Sequence, residues 1–296
     1  MFCCRLALRS SRSGRGNEAA ILRLLSVCRP LAGGLQWLMS PKKPLRMAPI
    51  RASESLCRRA GVLRAGINLS NASLVSNKED PTNPQGIAPG LAAELARSLG
   101  ATVKYVPYEN PGLLADAATR DEWDIALLGA EPARAKEIAF TPPYAEVEAT
   151  YLVRDGSPLR TCADVDAAGK RVCAMGGSAY DLWLTANLEH ATIVRPDERS
   201  RPASRVLFDD DESLDALAGL RPWLIEQRES RGSGVVLEDR YTSIRQAIGA
   251  PRARVGDGAA IMFLSAFVAE AKASGLVAEL LEKWGQAAHL SVAKDE

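Results

Sequence analysis

The sequence predicts an α/β protein whose parallel-rich sheets are flanked by helices. Three observations predict it. Within residues 123–144, WDIALLGAEPARAKEIAFTPPY, the short apolar run Ile-Ala-Leu-Leu is closed by Gly129 and a polar turn, the pattern of a strand buried on both faces. Leu91, Leu95 and Leu99 recur at helical spacing before Gly100, which gives one core-facing stripe and a C-terminal stop. Finally, strand patterns at 63–69, 102–106 and 125–128 alternate with helix patterns at 86–100 and 113–120. That order implies a parallel sheet with helices on its faces.

The bulk properties bound the rest. With 296 residues, 47% of them hydrophobic, the chain builds one large domain or two small ones. A net charge of +1 gives no electrostatic case for nucleic acid or a membrane surface. No apolar run reaches the roughly 18 residues of a spanning helix.

Residues 1–60 hold 12 of the 37 Lys and Arg residues, with Glu18 and Glu54 as the only acids. This leader is expected to be disordered or a targeting segment. Its apolar stretch AAILRLLSVC is interrupted by Arg23, a poor core for a secretion signal, and its Arg- and Ser-rich composition is closer to a transit peptide. A start at Met39 or Met47 is the other reading. Cys162 and Cys173 fall in the folded part; a disulfide between them requires an oxidising compartment, and two free thiols are the simpler expectation. With His190 and His289 as the only histidines and no CxxC pair, neither a zinc site nor a Ser-His-Asp triad is expected. No dinucleotide or Walker motif suggests a cofactor.

Beyond residue 144 the chain reads as a crossing strand at 149–153, then strands at 171–175, 192–194 and 214–219. A helix spans 180–188, a polar loop 196–205, a second crossing begins near Tyr241, and helices span 257–274 and 277–284. Trp284 reads as a core anchor.

Candidate binding residues gather at the strand ends, where open α/β sheets bind ligands. Asn68 and Ser70 follow the first strand; they either hydrogen-bond a polar ligand or serve a turn. Gly129 closes the third strand. Glu131-Pro132 reads as a helix start that carries Arg134, either a bidentate carboxylate clamp or a solvated first-turn residue. Gly177 and Ser178 precede a helix, as an anion site or as a glycine turn with an N-cap. Arg221 follows the strand at 214–219, as a second cation or a surface residue.

The segment W-D, apolar run, Gly129, then P-x-R-x-x-x-I-x-F-T-x-P-Y resembles the amino-acid type of bacterial extracellular solute-binding proteins, family 3, whose fold ionotropic glutamate receptor ligand domains share. The resemblance runs over residues 63–284, through LRAGINLSN and GIAPGLAAELARSLG upstream and FVAEAKASGLVAELLEKWG downstream. It implies a two-lobed, periplasmic-binding-protein-like fold. Lobe 1 would be residues 61–153 plus 244–296 and lobe 2 residues 154–243, joined by a two-strand hinge that closes on a small solute. It also implies a monomer, a membrane permease as partner and the periplasm as default location. The poor secretion signal argues instead for the cytoplasm or an organelle.

Three departures bear on the ligand. The loop after the first strand lacks the family's stacking aromatic residue. The stretch between Asp124 and Arg134 is two residues short, with Glu131 where Thr is common. Leu220 stands where an Asp usually holds the ligand's ammonium group. A carboxylate ligand therefore fits Arg134, Ser178 and Arg221 better than an ordinary amino acid does. The competing readings are a cyclohexadienyl or arogenate dehydratase with Glu131, Glu146, Glu148 or Asp181 as acid, and a sensor without a transporter.

Overall fold

The computed structural model describes Leu56, Cys57 and residues 61–294, except Glu198 and Asp257. The expectations for residues 1–55 lie outside the described residues. Leu56 and Cys57, at the end of the expected leader, are buried in the same apolar core as Leu63 and Leu95.

From Val62 the described chain runs through β1 (Val62–Asn68), α1 (Ile87–Ser98), β2 (Thr102–Tyr108), α2 (Pro111–Asp116) and β3 (Ile125–Gly129). β1 pairs in parallel with both β2 and β3. The βαβ order demands this, because a parallel return needs a helical crossover. Every residue of β3 is buried, as its unbroken apolar run predicts. Leu91 and Leu95 of α1 turn into the core. Trp123 is fully buried, and its Nε1 donates to the Leu114 carbonyl at 3.1 Å, which satisfies its one polar atom. Gly86, before α1, has φ +151, and a Cβ there would stand 2.4 Å from the Leu74 carbonyl oxygen. Only glycine fits that entry.

The expected helix at Glu131-Pro132 is a single 3₁₀ turn, Arg134–Lys136, followed by β4 (Ile138–Phe140) and β5 (Ala145–Val153). Then come α3 (Cys162–Val165), β6 (Arg171–Cys173), α4 (Ala179–Asn187), β7 (Thr192–Val194), α5 (Arg201–Asp210), β8 (Ala216–Leu220), α6 (Arg221–Arg231) and β9 (Val235–Val236). The chain returns through β10 (Thr242–Pro251), α7 (Arg252–Val255), α8 (Ala259–Ala273), α9 (Leu276–Lys283) and β11 (Leu290–Val292).

The sheet order is β2-β1-β3-β10-β5-β8-β6-β7. β5 and β10 join its two halves. β5 pairs with β10 over Ala145–Ala149 and with β8 from Ala149 to Val153, while β10 continues onto β3 at Gln246–Gly249. The expected α/β class is the observed one, but the sheet is mixed: β1–β2, β1–β3, β6–β7 and β6–β8 are parallel, while β5 and β10 pair antiparallel with their neighbours.

Residues 196–205 are not a simple loop, because α5 begins inside them. Ser200 Oγ accepts from the Ala203 N–H at 3.1 Å, and Pro202 occupies the first turn, a capped start that outweighs the polar composition. Cys162 and Cys173 are free thiols. Trp284 is partly buried against the main core.

Candidate functional site

The strand ends converge on one small cavity of about 30 Å³, lined from both halves of the sheet. That is room for roughly two waters. Asn68, Ser70 and Asn71 reach it from the end of β1, Gly129 from β3, Ser178 and Tyr180 from the start of α4, and Leu220 from β8. Two arginines, Arg134 and Arg201, complete the lining, and among the described residues no Asp or Glu is part of it.

Arg134 is positioned by a tight turn. The Glu131 carbonyl accepts from the Arg134 N–H at 2.9 Å and from the Ala135 N–H at 3.1 Å. This folds the side chain back over the end of β3. Its Nη1 donates to the Gly129 carbonyl at 2.9 Å, and its Nη2 donates across the cleft to the Gly177 carbonyl at 3.0 Å. Nε is buried without a partner. The side chain is not the solvated first-turn residue of the bland reading: the residue is 6% exposed. Burial pulls its pKa down to about 10, against the opposing fields of Glu131 and Asp116, so it stays cationic at neutral pH. The Glu131 carboxyl is itself raised by burial, with Arg134 pulling the other way.

Arg201 opens α5 and is 5% exposed. Its guanidinium lies 5.3 Å from the centre of the Trp223 ring, a cation–π seat that fixes its direction. Nε and Nη1 are buried without hydrogen-bond partners. Burial lowers its pKa, opposed by the neighbouring Tyr180 hydroxyl and by Glu226. The Tyr180 hydroxyl is also buried without a partner, and burial raises its pKa.

The turn residues serve the turns and also line the cavity. Asn68 Oδ1 accepts from the Ser70 N–H at 3.1 Å and hydroxyl at 2.8 Å, an Asx turn whose members still line the cavity. Ser178 is the N-cap of α4, its Oγ accepting from the Asp181 N–H at 3.1 Å, and it too faces the cavity. Its hydroxyl keeps a proton to donate.

The two halves touch beside the cavity. Gly177 has φ +76, and a Cβ on it would stand 3.4 Å from the Gly112 Cα. Two glycines thus let the α2 entry and the loop before α4 approach backbone to backbone. Arg199 and Asp116 form an exposed ion pair across the same seam at 3.4 Å.

Of the residues the sequence singled out, Asn68, Ser70, Gly129, Arg134 and Ser178 come together at the cavity, and Gly177 joins them through its carbonyl. Arg221 does not. Its Nε donates to Glu148 at 2.6 Å, and its Nη atoms donate to the carbonyls of Leu237, Glu238 and Asp239 at 2.8 to 2.9 Å. These donors are spent bracing the segment before β10, so the expectation of a cleft cation at Arg221 is corrected. Arg201 and Tyr180 were missed. The signal that would have found Arg201 is Ser200-Arg201-Pro202, a helix-start pattern hidden in a polar stretch.

Comparison with known proteins follows from this geometry. A profile described as bacterial extracellular solute-binding proteins, family 3, matches residues 63–287. The chain belongs to this family. Its fold recurs in a mutant of ArgBP from T. maritima, at TM-score 0.64 and 22% identity over 79% of this chain and 99% of that one. The cysteine-binding protein from Campylobacter jejuni is similar at TM-score 0.64 and 18% identity, over 81% and 94%. An ancestral amino acid-binding protein titled a precursor of cyclohexadienyl dehydratase matches at TM-score 0.62 and 20% identity, over 77% and 97%. In sequence, 161 residues are 30% identical to the cyclohexadienyl dehydratase of Pseudomonas aeruginosa, 52% of this chain and 59% of the relative. The chain therefore spans about three-fifths of that relative's length.

The four carboxylates considered for an acid role stand apart from the cavity lining. Burial pushes the Glu148 carboxyl up, but hydrogen bonds from Arg221 and Arg240 outweigh it and hold the group below the usual carboxylate range. Asp181 accepts from Arg195 Nε at 2.7 Å and from the Gly177 N–H at 2.8 Å. Glu146 is half-buried on β5, and Glu131 sits behind Arg134.

Proposed function

We propose that this family member binds a small carboxylate-bearing solute between the two halves of its sheet, as the substrate-binding component of an ABC-type transporter. The observation that carries the reading is Arg134. It is a buried guanidinium at a strand end, with Nε unsatisfied and its Nη2 spent on a carbonyl of the opposite half. A buried guanidinium with an unsatisfied Nε is costly, and an incoming carboxylate supplies two acceptors in a matching fork. Among the described residues the lining holds no acid that would favour a cationic ligand.

Binding requires opening, because a cavity of about 30 Å³ has no room for a solute. The Arg134–Gly177 bond and the Gly112–Gly177 contact lie on the seam that would part. β5 and β10, the strands joining the halves, are the segments about which the motion would turn. The ligand then replaces the Gly177 carbonyl as partner of Arg134 and holds the halves together itself, which selects the closed state. The test is calorimetric titration of the full chain with monocarboxylates and amino acids. Binding of a carboxylate that lacks an amine, lost in Arg134→Met, supports the reading; carboxylate binding unaffected by that change sinks it.

The second reading is a carbon–oxygen lyase, favoured by the stretch similar to the P. aeruginosa dehydratase. Tyr180 is the cavity's one proton donor of acidic type, and burial makes its hydroxyl a weaker acid, which favours binding over elimination chemistry. Turnover of prephenate or arogenate by the full chain would establish the lyase reading instead.

A further inference from the structure

The carboxylate reading uses Arg134 and leaves Arg201 unexplained. Arg201 lines the same cavity, is 5% exposed, and makes no hydrogen bond through Nε or Nη1. The acids that act on the two guanidiniums, Glu131 and Asp116 on Arg134 and Glu226 on Arg201, lie outside the lining, and among the described residues no Asp or Glu is part of it. Leu220 stands at the end of β8, on the wall where an acid would neutralise them. The arrangement is also rigid. Arg201 is held at the capped, proline-stiffened start of α5 and against the Trp223 ring, so it does not simply swing out to water.

We propose that Arg134 and Arg201 form a two-cation cleft for a dianionic solute: two acidic groups on a short carbon frame, with no ammonium group. The inference rests on the carboxylate reading and deepens it. One acidic group takes the Arg134 fork and the other takes Nε and Nη1 of Arg201, assisted by the Tyr180 hydroxyl, which interacts with Arg201. Asn71 supports either end. Its Oδ1 is buried and unpaired, and rotation of the amide presents its N–H₂ group to an anion instead. An ammonium group finds no carboxylate in the lining among the described residues.

The test is titration of the full chain with malonate, succinate, glutarate and adipate, and with pentanoate as a monoanion of glutarate's length. At least one dicarboxylate is expected to bind ten times more tightly than pentanoate, and more tightly than glutamate, which adds the ammonium group. Arg201→Gln is expected to weaken that dicarboxylate at least tenfold and to leave pentanoate within twofold. Arg201→Lys, which keeps the charge and the packed stem, recovers part of the loss and shows that misfolding is not the cause. The inference is overturned if the ratio of dicarboxylate to pentanoate affinity is the same in Arg201→Gln as in the native chain, or if glutamate binds more tightly than glutarate. The Arg134→Met variant separates the two levels. If it still binds pentanoate, the carboxylate reading fails; if it loses pentanoate while Arg201→Gln leaves dicarboxylates untouched, that reading stands and the two-cation cleft falls.

Discussion

Replacing Leu220 by Asp puts a carboxylate into the wall of a cavity that holds two cations and no acid. Three contributions can be estimated. Leu220 is 4% exposed, and removing a fully buried leucine side chain forfeits about 1.5–3 kcal/mol of apolar burial. Leu220 is also the N-cap of α6, with φ −70 and ψ 134 and no side-chain cap. Aspartate suits that conformation and can accept from the Trp223 N–H, which returns about 0.5–2 kcal/mol. The net cost is about 1–2 kcal/mol, or a fall in Tm of a few degrees for a chain of this size, so the variant folds. The effect on binding is larger. The new carboxylate competes with an anionic ligand for the guanidiniums, and one charge-assisted bond is worth about 1.5–3 kcal/mol, which is about 10- to 150-fold in affinity. Dicarboxylate binding by Leu220→Asp should therefore fall at least tenfold, while amino acids gain a partner for their ammonium group. Titration calorimetry beside a thermal melt reads both. A folded Leu220→Asp variant that binds dicarboxylates as the native chain does would refute the reasoning.

Two further outcomes follow from the same structure. Arg221→Ala strips hydrogen bonds from three carbonyls and one partner from Glu148, so it should cost about 1–3 kcal/mol of stability yet leave ligand affinity within twofold; an affinity loss without a stability loss would return Arg221 to the cleft. Burial pushes the Cys162 and Cys173 thiols from 9.0 up to about 12, so the folded chain keeps them protonated. A raised thiol pKa stabilises the fold fully below pH 9 and loses that contribution as pH climbs from about 9 towards 12. At pH 8, Cys162 and Cys173, followed by peptide mapping, should label slowly with a disulfide reagent in the native chain and rapidly in denaturant, and rapid labelling of either in the native chain would contradict this.

Much of the scaffold was legible because it obeys simple periodicities. The run after Asp124 has no polar residue and becomes a fully buried strand; the Leu91–Leu95–Leu99 stripe becomes the core face of α1. The site was legible only in part. Asn68, Gly129, Arg134 and Ser178 sit at strand ends, which sequence order locates. Arg201 was hidden because α5 is short and polar on most faces, and its start lies in a stretch with no apolar period. Arg221 misled because it directly follows β8, but its direction depends on the carbonyls of Leu237, Glu238 and Asp239, which are 16 to 18 residues away in the chain. Glu131-Pro132 carries a helix-start signal, yet the chain turns into β4 after one 3₁₀ turn. Pairing of β4 with the distant β10 decides that, not local propensity.

The account's central claim is that Arg134 receives a ligand carboxylate. The most direct measurement is calorimetric titration of the native chain and Arg134→Met with pentanoate and glutarate. The account predicts binding of both ligands by the native chain and none by the variant, whose melt still shows a folded protein. Equal binding by the two chains would contradict it.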